Sequence, residues 1–264
     1  MAVASSARER AAPASSNAFA RMTPTRRIAF AGGVLFIITF VTSIPALYLY
    51  QPALDNPAAY VAGAGAETRI FLAAFLELLL IVANIGTAVV LFPILKRQNE
   101  ILALGWVMAR LVESAFIAVG ILSVLAIVSL QQDAANAGSG SLAVVLAAIK
   151  DWTFLLGPGF VVGIGNGLLL GYLMYRSGLV PPRLAMLGML GGTLICASGV
   201  AVLFGVAQQG GAMQAVATLP EFVWELSLGI YLTVYGFRAS PILSAGRPGE
   251  VVTGREQAAT AVAP

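Results

Sequence analysis

The chain has 264 residues, of which 59% are hydrophobic and 10% charged, with a net charge of +3, one cysteine and no histidine. Soluble domains carry about 25% charged residues, so this deficit, with a mean hydropathy of +0.89, excludes an ordinary soluble domain and predicts an all-α polytopic transmembrane bundle. The missing histidine and the lone Cys196 exclude an internal disulfide, the usual zinc and haem sites, an H-E-x-x-H metalloprotease and a Ser-His dyad.

Met1–Thr25 is rich in Ala, Ser and Arg, lacks hydrophobic periodicity, and reads as a disordered arm. A membrane domain over residues 26–238 follows, with six apolar runs: Ile28–Tyr50, Ile70–Leu95, Ile101–Leu130, Trp152–Tyr175, Leu184–Val206 and Glu221–Gly236. Five reach the roughly 20 residues that cross a bilayer as a helix; the sixth is short unless Glu221 and Phe237 belong to it. The first run is too long for a signal-peptide core and reads as an uncleaved span. Residues 239–264 read as a second disordered segment. Asn136–Ser141 reads as a flexible tip, and Leu142–Lys150 as an apolar segment lying along the membrane surface before span 4.

Lys and Arg near the span ends set the orientation. Twelve fall on one side: Arg8, Arg10, Arg21, Arg26, Arg27, Lys96, Arg97, Arg176, Arg183, Arg238, Arg247 and Arg255. Only Arg69 and Lys150 fall on the other. Both termini are therefore expected in the cytoplasm, in agreement with an even number of spans. The basic residues lack interleaved aromatics, so no nucleic-acid partner is expected. The expected surroundings are the lipid bilayer, with a second copy of the chain as a candidate partner.

Four ionisable residues interrupt the apolar runs: Glu77, Arg110, Glu113 and Glu225. A charge at the bilayer centre costs about 2.5–3.5 kcal/mol on insertion scales, so these residues must pair, protonate or face water. Counting at 1.5 Å per residue places all four in one layer between the midplane and the outer face, with Glu225 in the outer third. Arg110 and Glu113 are i,i+3 and can pair within their helix. Glu77 and Asn84 share a face. Three carboxylates against one arginine leave two excess negative charges if all ionise, which favours protonating a carboxylate or binding a cation.

Gly159, Gly163, Gly167 and Gly171 form a small-residue stripe on span 4, and Gly188 and Gly192 a matching pair on span 5. Asn166, beside the stripe, is placed to hydrogen-bond across a helix interface. Gly163-Ile164-Gly165-Asn166 has the outline of an intramembrane aspartyl-protease motif, but Asn stands at the catalytic position and no other span contains Asp. Gly157-Pro158-Gly159 is expected to kink span 4. Trp152 and Trp224 are expected at the outer interface, and Tyr175 and Tyr235 at the inner one.

Three stretches together resemble the bacterial domain of unknown function 4386 family. They are Gly171-Tyr172-Leu173-Met174-Tyr175-Arg176-Ser177-Gly178-Leu179-Val180-Pro181 running into Gly188, Ala109-Arg110-Leu111-Val112-Glu113, and Glu225-Leu226-Ser227-Leu228-Gly229 with Gly236-Phe237-Arg238. The resemblance covers Arg26 to Arg238, departing at Pro182 and Tyr235. It implies a multi-pass bacterial membrane protein in which Arg110, Glu113 and Glu225 belong to recurrent motifs, and it implies no activity. The expected function is binding or passage of a small solute or ion, proton-coupled in one version, through the carboxylate–arginine cluster. The alternative is a non-catalytic scaffold or regulatory protein whose cluster only fixes packing. An enzyme is not expected, nor is any cofactor or metal.

Overall fold

The structure, a computed structural model, describes residues 22–63, 66–132 and 139–244. Local chemistry sets where the helices start. Thr23 accepts the Arg26 N–H at 3.3 Å through its hydroxyl, and Pro24 opens α1 (Pro24–Leu49) with the backbone angle a first turn needs. A short α2 (Gln51–Leu54) continues the chain. Asn56 then accepts the Ala59 N–H at 3.1 Å and, with Pro57, opens α3 (Pro57–Ala62). The long helices α4 (Glu67–Leu95) and α5 (Glu100–Gln132) each carry a glutamate in the first turn, where the helix dipole favours negative charge.

Span 4 departs from α-geometry. Helix α6 (Ser139–Phe154) runs into two π-helical segments, Leu155–Val161 and Gly163–Leu170, before α7 (Gly171–Ser177). Hydrogen bonds reach back five residues here, as from Val162 N–H to Gly157 O and from Gly171 N–H to Asn166 O. Pro158 lacks the N–H an α-turn requires and its ring crowds the preceding carbonyl, while five glycines between Gly157 and Gly167 weaken the α preference. The expected kink is thus resolved as a widened helix. Gly178, at φ 68°, ends α7. Helices α8 (Pro182–Leu203), α9 (Ala212–Val234) and α10 (Pro241–Ser244) follow.

Among the described residues, six helical segments are long and apolar enough to cross a membrane: α1, α4, α5, Ser139–Ser177, α8 and α9. The chain is a multi-pass membrane protein. The spans pack as a closed ring in chain order: α1 on α4, α4 on α5, α5 on span 4, span 4 on α8, α8 on α9, and α9 back on α1. Large side chains such as Val82, Val89 and Leu122 point outward, where lipid covers them.

Several boundaries differ from the sequence reading. Span 4 begins at Ser139, so Leu142–Lys150 is its first part, packed on α3 and α5, and does not lie apart on a surface. Span 6 begins at Ala212, nine residues before the apolar run. Residues 1–21 of the expected arm, 245–264 of the expected tail, and residues 136–138 of the expected tip lie outside the described residues, while Ser139–Ser141 open α6. The start of the tail is docked: Arg238 N–H donates to Leu179 O at 2.8 Å and the Ser240 hydroxyl to Ser177 O at 2.5 Å. Arg26, read as a topology signal, also caps α9 by donating to Leu232 O at 3.1 Å, Thr233 O at 2.6 Å and Val234 O at 3.0 Å.

The glycine stripe is filled within the chain. A methyl at Gly163 would meet Ile195 Cγ2 at 2.5 Å, and one at Gly171 would meet Met189 Cγ at 3.2 Å, both on α8. Gly167 sits directly against the backbone of Gly192 on α8. Gly159 does not join this contact; the nearest atom to a methyl there is Phe154 O at 3.5 Å.

Candidate functional site

Two polar clusters lie inside the ring. The first joins Glu77 on α4 to Lys150 on α6. Lys150 Nζ donates to both Glu77 carboxylate oxygens at 2.7 Å, and the Tyr50 hydroxyl donates to Oε2 at 3.0 Å. The ammonium also lies 4.7 Å from the centre of the Tyr50 ring, close enough for a cation–π contact. Gly120 on α5 makes the approach possible, since a methyl there would meet the Lys150 side chain at 3.0 Å. Glu77 thus has its own base.

The second cluster sits about two helical turns, roughly 10 Å, further along α4, at Asn84. Arg110 donates through Nη1 to Glu113 Oε2 at 2.7 Å and through Nη2 to Asn84 Oδ1 at 2.5 Å. Asn84 in turn donates to Glu113 Oε1 at 2.9 Å, closing a triangle between α4 and α5. The guanidinium carbon is 5.8 Å from the Phe36 ring centre on α1.

Asn166, in the second π-helical segment, extends the network to α9. Its side-chain oxygen accepts from Trp106 Nε1 at 2.9 Å, its backbone oxygen accepts from Trp224 Nε1 at 3.0 Å, and its amide donates to Glu225 Oε1. Glu225 also lies within electrostatic reach of Arg110 and of Glu113. Asn84, Arg110, Glu113 and Asn166 are all buried. The expected bond from Asn166 across a helix interface is therefore present on two sides.

One turn before Glu225, Glu221 is 2% exposed, and neither of its carboxylate oxygens has a hydrogen-bond partner. It occupies a notch that glycines leave open. A methyl at Gly167 on span 4, or at Gly191 on α8, would lie 2.7 Å from Glu221 Oε2. Arg110 Nε is likewise buried without a partner.

The single layer of four charges expected from the sequence is corrected to two levels. Glu77 pairs with Lys150 and is not hydrogen-bonded to the Arg110 network. Lys150 and Glu221 are the charged residues the sequence reading missed as site members, and Tyr50 and Trp106 the aromatic ones. Counted from Ala212 at 1.5 Å per residue, Glu225 is about 20 Å along α9, further than its place in the apolar run implied, because the helix starts earlier than that run. Trp224, expected at the interface, is fully buried beneath Gly188. Trp152, Tyr175 and Tyr235 are exposed.

Residues 31–236 match the family model described as Domain of unknown function (DUF4386). The chain belongs to this family. The DUF4386 match contains both clusters in full, from Tyr50 to Glu225, while Arg26 lies just before it. No curated protein and no solved structure matches the chain. DUF4386 membership brings no activity with it, so the activity is argued from the site; the multi-pass membrane character rests on the six apolar spans.

Proposed function

We propose that the protein binds and passes a small solute or ion through the interior of the ring, at the network formed by Asn84, Arg110, Glu113, Asn166 and Glu225. The observation that carries this reading is a charge imbalance. Glu113, Glu221 and Glu225 share the second cluster with one base, Arg110, because Lys150 is committed to Glu77. An uncompensated charge in a buried site costs several kcal/mol, so protons or cationic groups are needed to offset the two excess negative charges. The unpartnered Arg110 Nε and Glu221 oxygens supply hydrogen-bonding capacity that a bound solute can use.

The test is flux. The full chain is reconstituted in liposomes, and the passage of protons, sodium and potassium is followed with ion-sensitive dyes. Glu113→Gln and Glu225→Gln are expected to lower passage of the conducted ion at least tenfold, while Glu77→Gln leaves its selectivity unchanged. Passage in the unaltered protein no greater than in protein-free liposomes would count against the reading. A second reading, a scaffold or regulatory protein whose network only fixes helix register, is favoured by the closed triangle of hydrogen bonds among Asn84, Arg110 and Glu113. It predicts that Glu225→Gln lowers thermal stability and changes no flux.

A further inference from the structure

We propose that Glu221 and Glu225 form a proton-binding pair inside the bundle, with Glu221 carrying the exchangeable proton. The inference rests on the reading of the interior as a binding site and names the ion and its carrier.

The two carboxylates are one turn apart on α9 and within electrostatic reach of each other. Their environments differ. Glu225 is held by the Asn166 amide and lies near Arg110, so an anionic carboxylate there has both a donor and a counter-charge. Glu221 has neither: it is buried in the Gly167–Gly191 notch with both oxygens unpartnered. Like charges this close in a low-dielectric site do not both ionise. One proton on Glu221 removes the clash, since Glu225 keeps the arginine and the amide.

The surroundings favour a proton over an alkali cation. Such a cation is a hard ion that needs several oxygen ligands in its shell. The notch is bordered by two glycines, which bring no side-chain oxygen, and by the Cys196 thiol on α8, a soft group that lies within electrostatic reach of Glu221. A proton needs a single carboxylate oxygen. The charged or titratable groups facing the pair are few. Span 4 supplies Asn166, which is neutral; α8 supplies Cys196; α5 supplies Arg110 and Glu113, which act on Glu225. α1 has no acidic or basic side chain between Ile28 and Leu49.

A hydrophobic carbodiimide tests the assignment, because it modifies a carboxyl group buried in the membrane only when that group is protonated. The full chain in lipid nanodiscs is treated with dicyclohexylcarbodiimide across a pH series and the modified residue is located by peptide mass spectrometry. Glu221 is expected to be the principal modified residue, with labelling that falls as pH rises and is unaffected by sodium or potassium at fixed pH. In Glu225→Gln, labelling of Glu221 is expected to disappear at lower pH than in the unaltered protein, because the neighbouring negative charge that favours the protonated form is gone. Three results overturn the proposal: protection of Glu221 by sodium or potassium, absence of labelling at every pH while the denatured chain labels, or a pH profile that Glu225→Gln leaves in place. Labelling reads proton occupancy and not flux, so a titrating Glu221 in a protein without ion passage would defeat the broader reading alone. Ion passage with an unreactive Glu221 would defeat this inference alone.

Discussion

Lys150 Nζ lies 2.7 Å from both carboxylate oxygens of Glu77, across the interface between α6 and α4. Both side chains are nearly enclosed, at 8% and 11% exposure. A buried pair is costly to break from one side, because the survivor keeps its charge without a partner. Lys150→Met is therefore expected to destabilise the protein by about 3–5 kcal/mol. Lys150→Met with Glu77→Gln should recover most of that loss. Unfolding of all four proteins in detergent gives the coupling directly. A double variant that shows the sum of the two single losses would mean that the pair carries no coupling.

Glycine positions on spans 4 and 5 separate tight packing from mere small size. A methyl at Gly188 would lie 2.5 Å from Trp224 Cε2 and 2.6 Å from Cδ2, in a rigid indole that has no room to retreat. Gly188→Ala is expected to cost about 1–3 kcal/mol, the usual range for overpacking. Gly159→Ala meets nothing nearer than Phe154 O at 3.5 Å and should be close to neutral. Melting temperatures followed by intrinsic fluorescence compare the two. Equal effects would show that the stripe is not sorted by contact with α8 and α9.

These contrasts mark what the sequence could and could not carry. The six spans were legible because bilayer thickness imposes about 20 apolar residues on any crossing helix, whatever it packs against. The Arg110–Glu113 pair was legible because both ends sit on one helix face. The partner of Glu77 was not, because hydropathy says which side chains share a helix and nothing about which helices adjoin. Lys150 and Glu221 both fall at the edges of their apolar runs, and so read as loop and helix end. In the folded chain a neighbouring helix covers those edges, which lets polar residues be buried without raising local hydropathy. A signal for Glu221 did exist in its i,i+4 spacing from Glu225, which puts both acids on one face of α9.

Asn166 offers the sharpest test of the second cluster, because its side chain and its backbone serve different partners. Trp106 donates to the side-chain oxygen and Trp224 to the backbone oxygen, while Glu225 accepts from the side-chain amide. Asn166→Ala removes the side-chain bonds and leaves the backbone bond in place. A buried donor or acceptor left without a partner costs about 1–3 kcal/mol, and more when the group is charged. The variant is thus expected to lose about 2–4 kcal/mol, with the indole of Trp106 disturbed and that of Trp224 retained. Indole N–H resonances in the detergent-solubilised protein, assigned through Trp106→Phe and Trp224→Phe, distinguish the two. A shift confined to Trp106 fits the geometry. Equal shifts in both indoles would mean that the π-helical backbone at Asn166 depends on its side chain, so that the network shapes span 4 as well as being held by it.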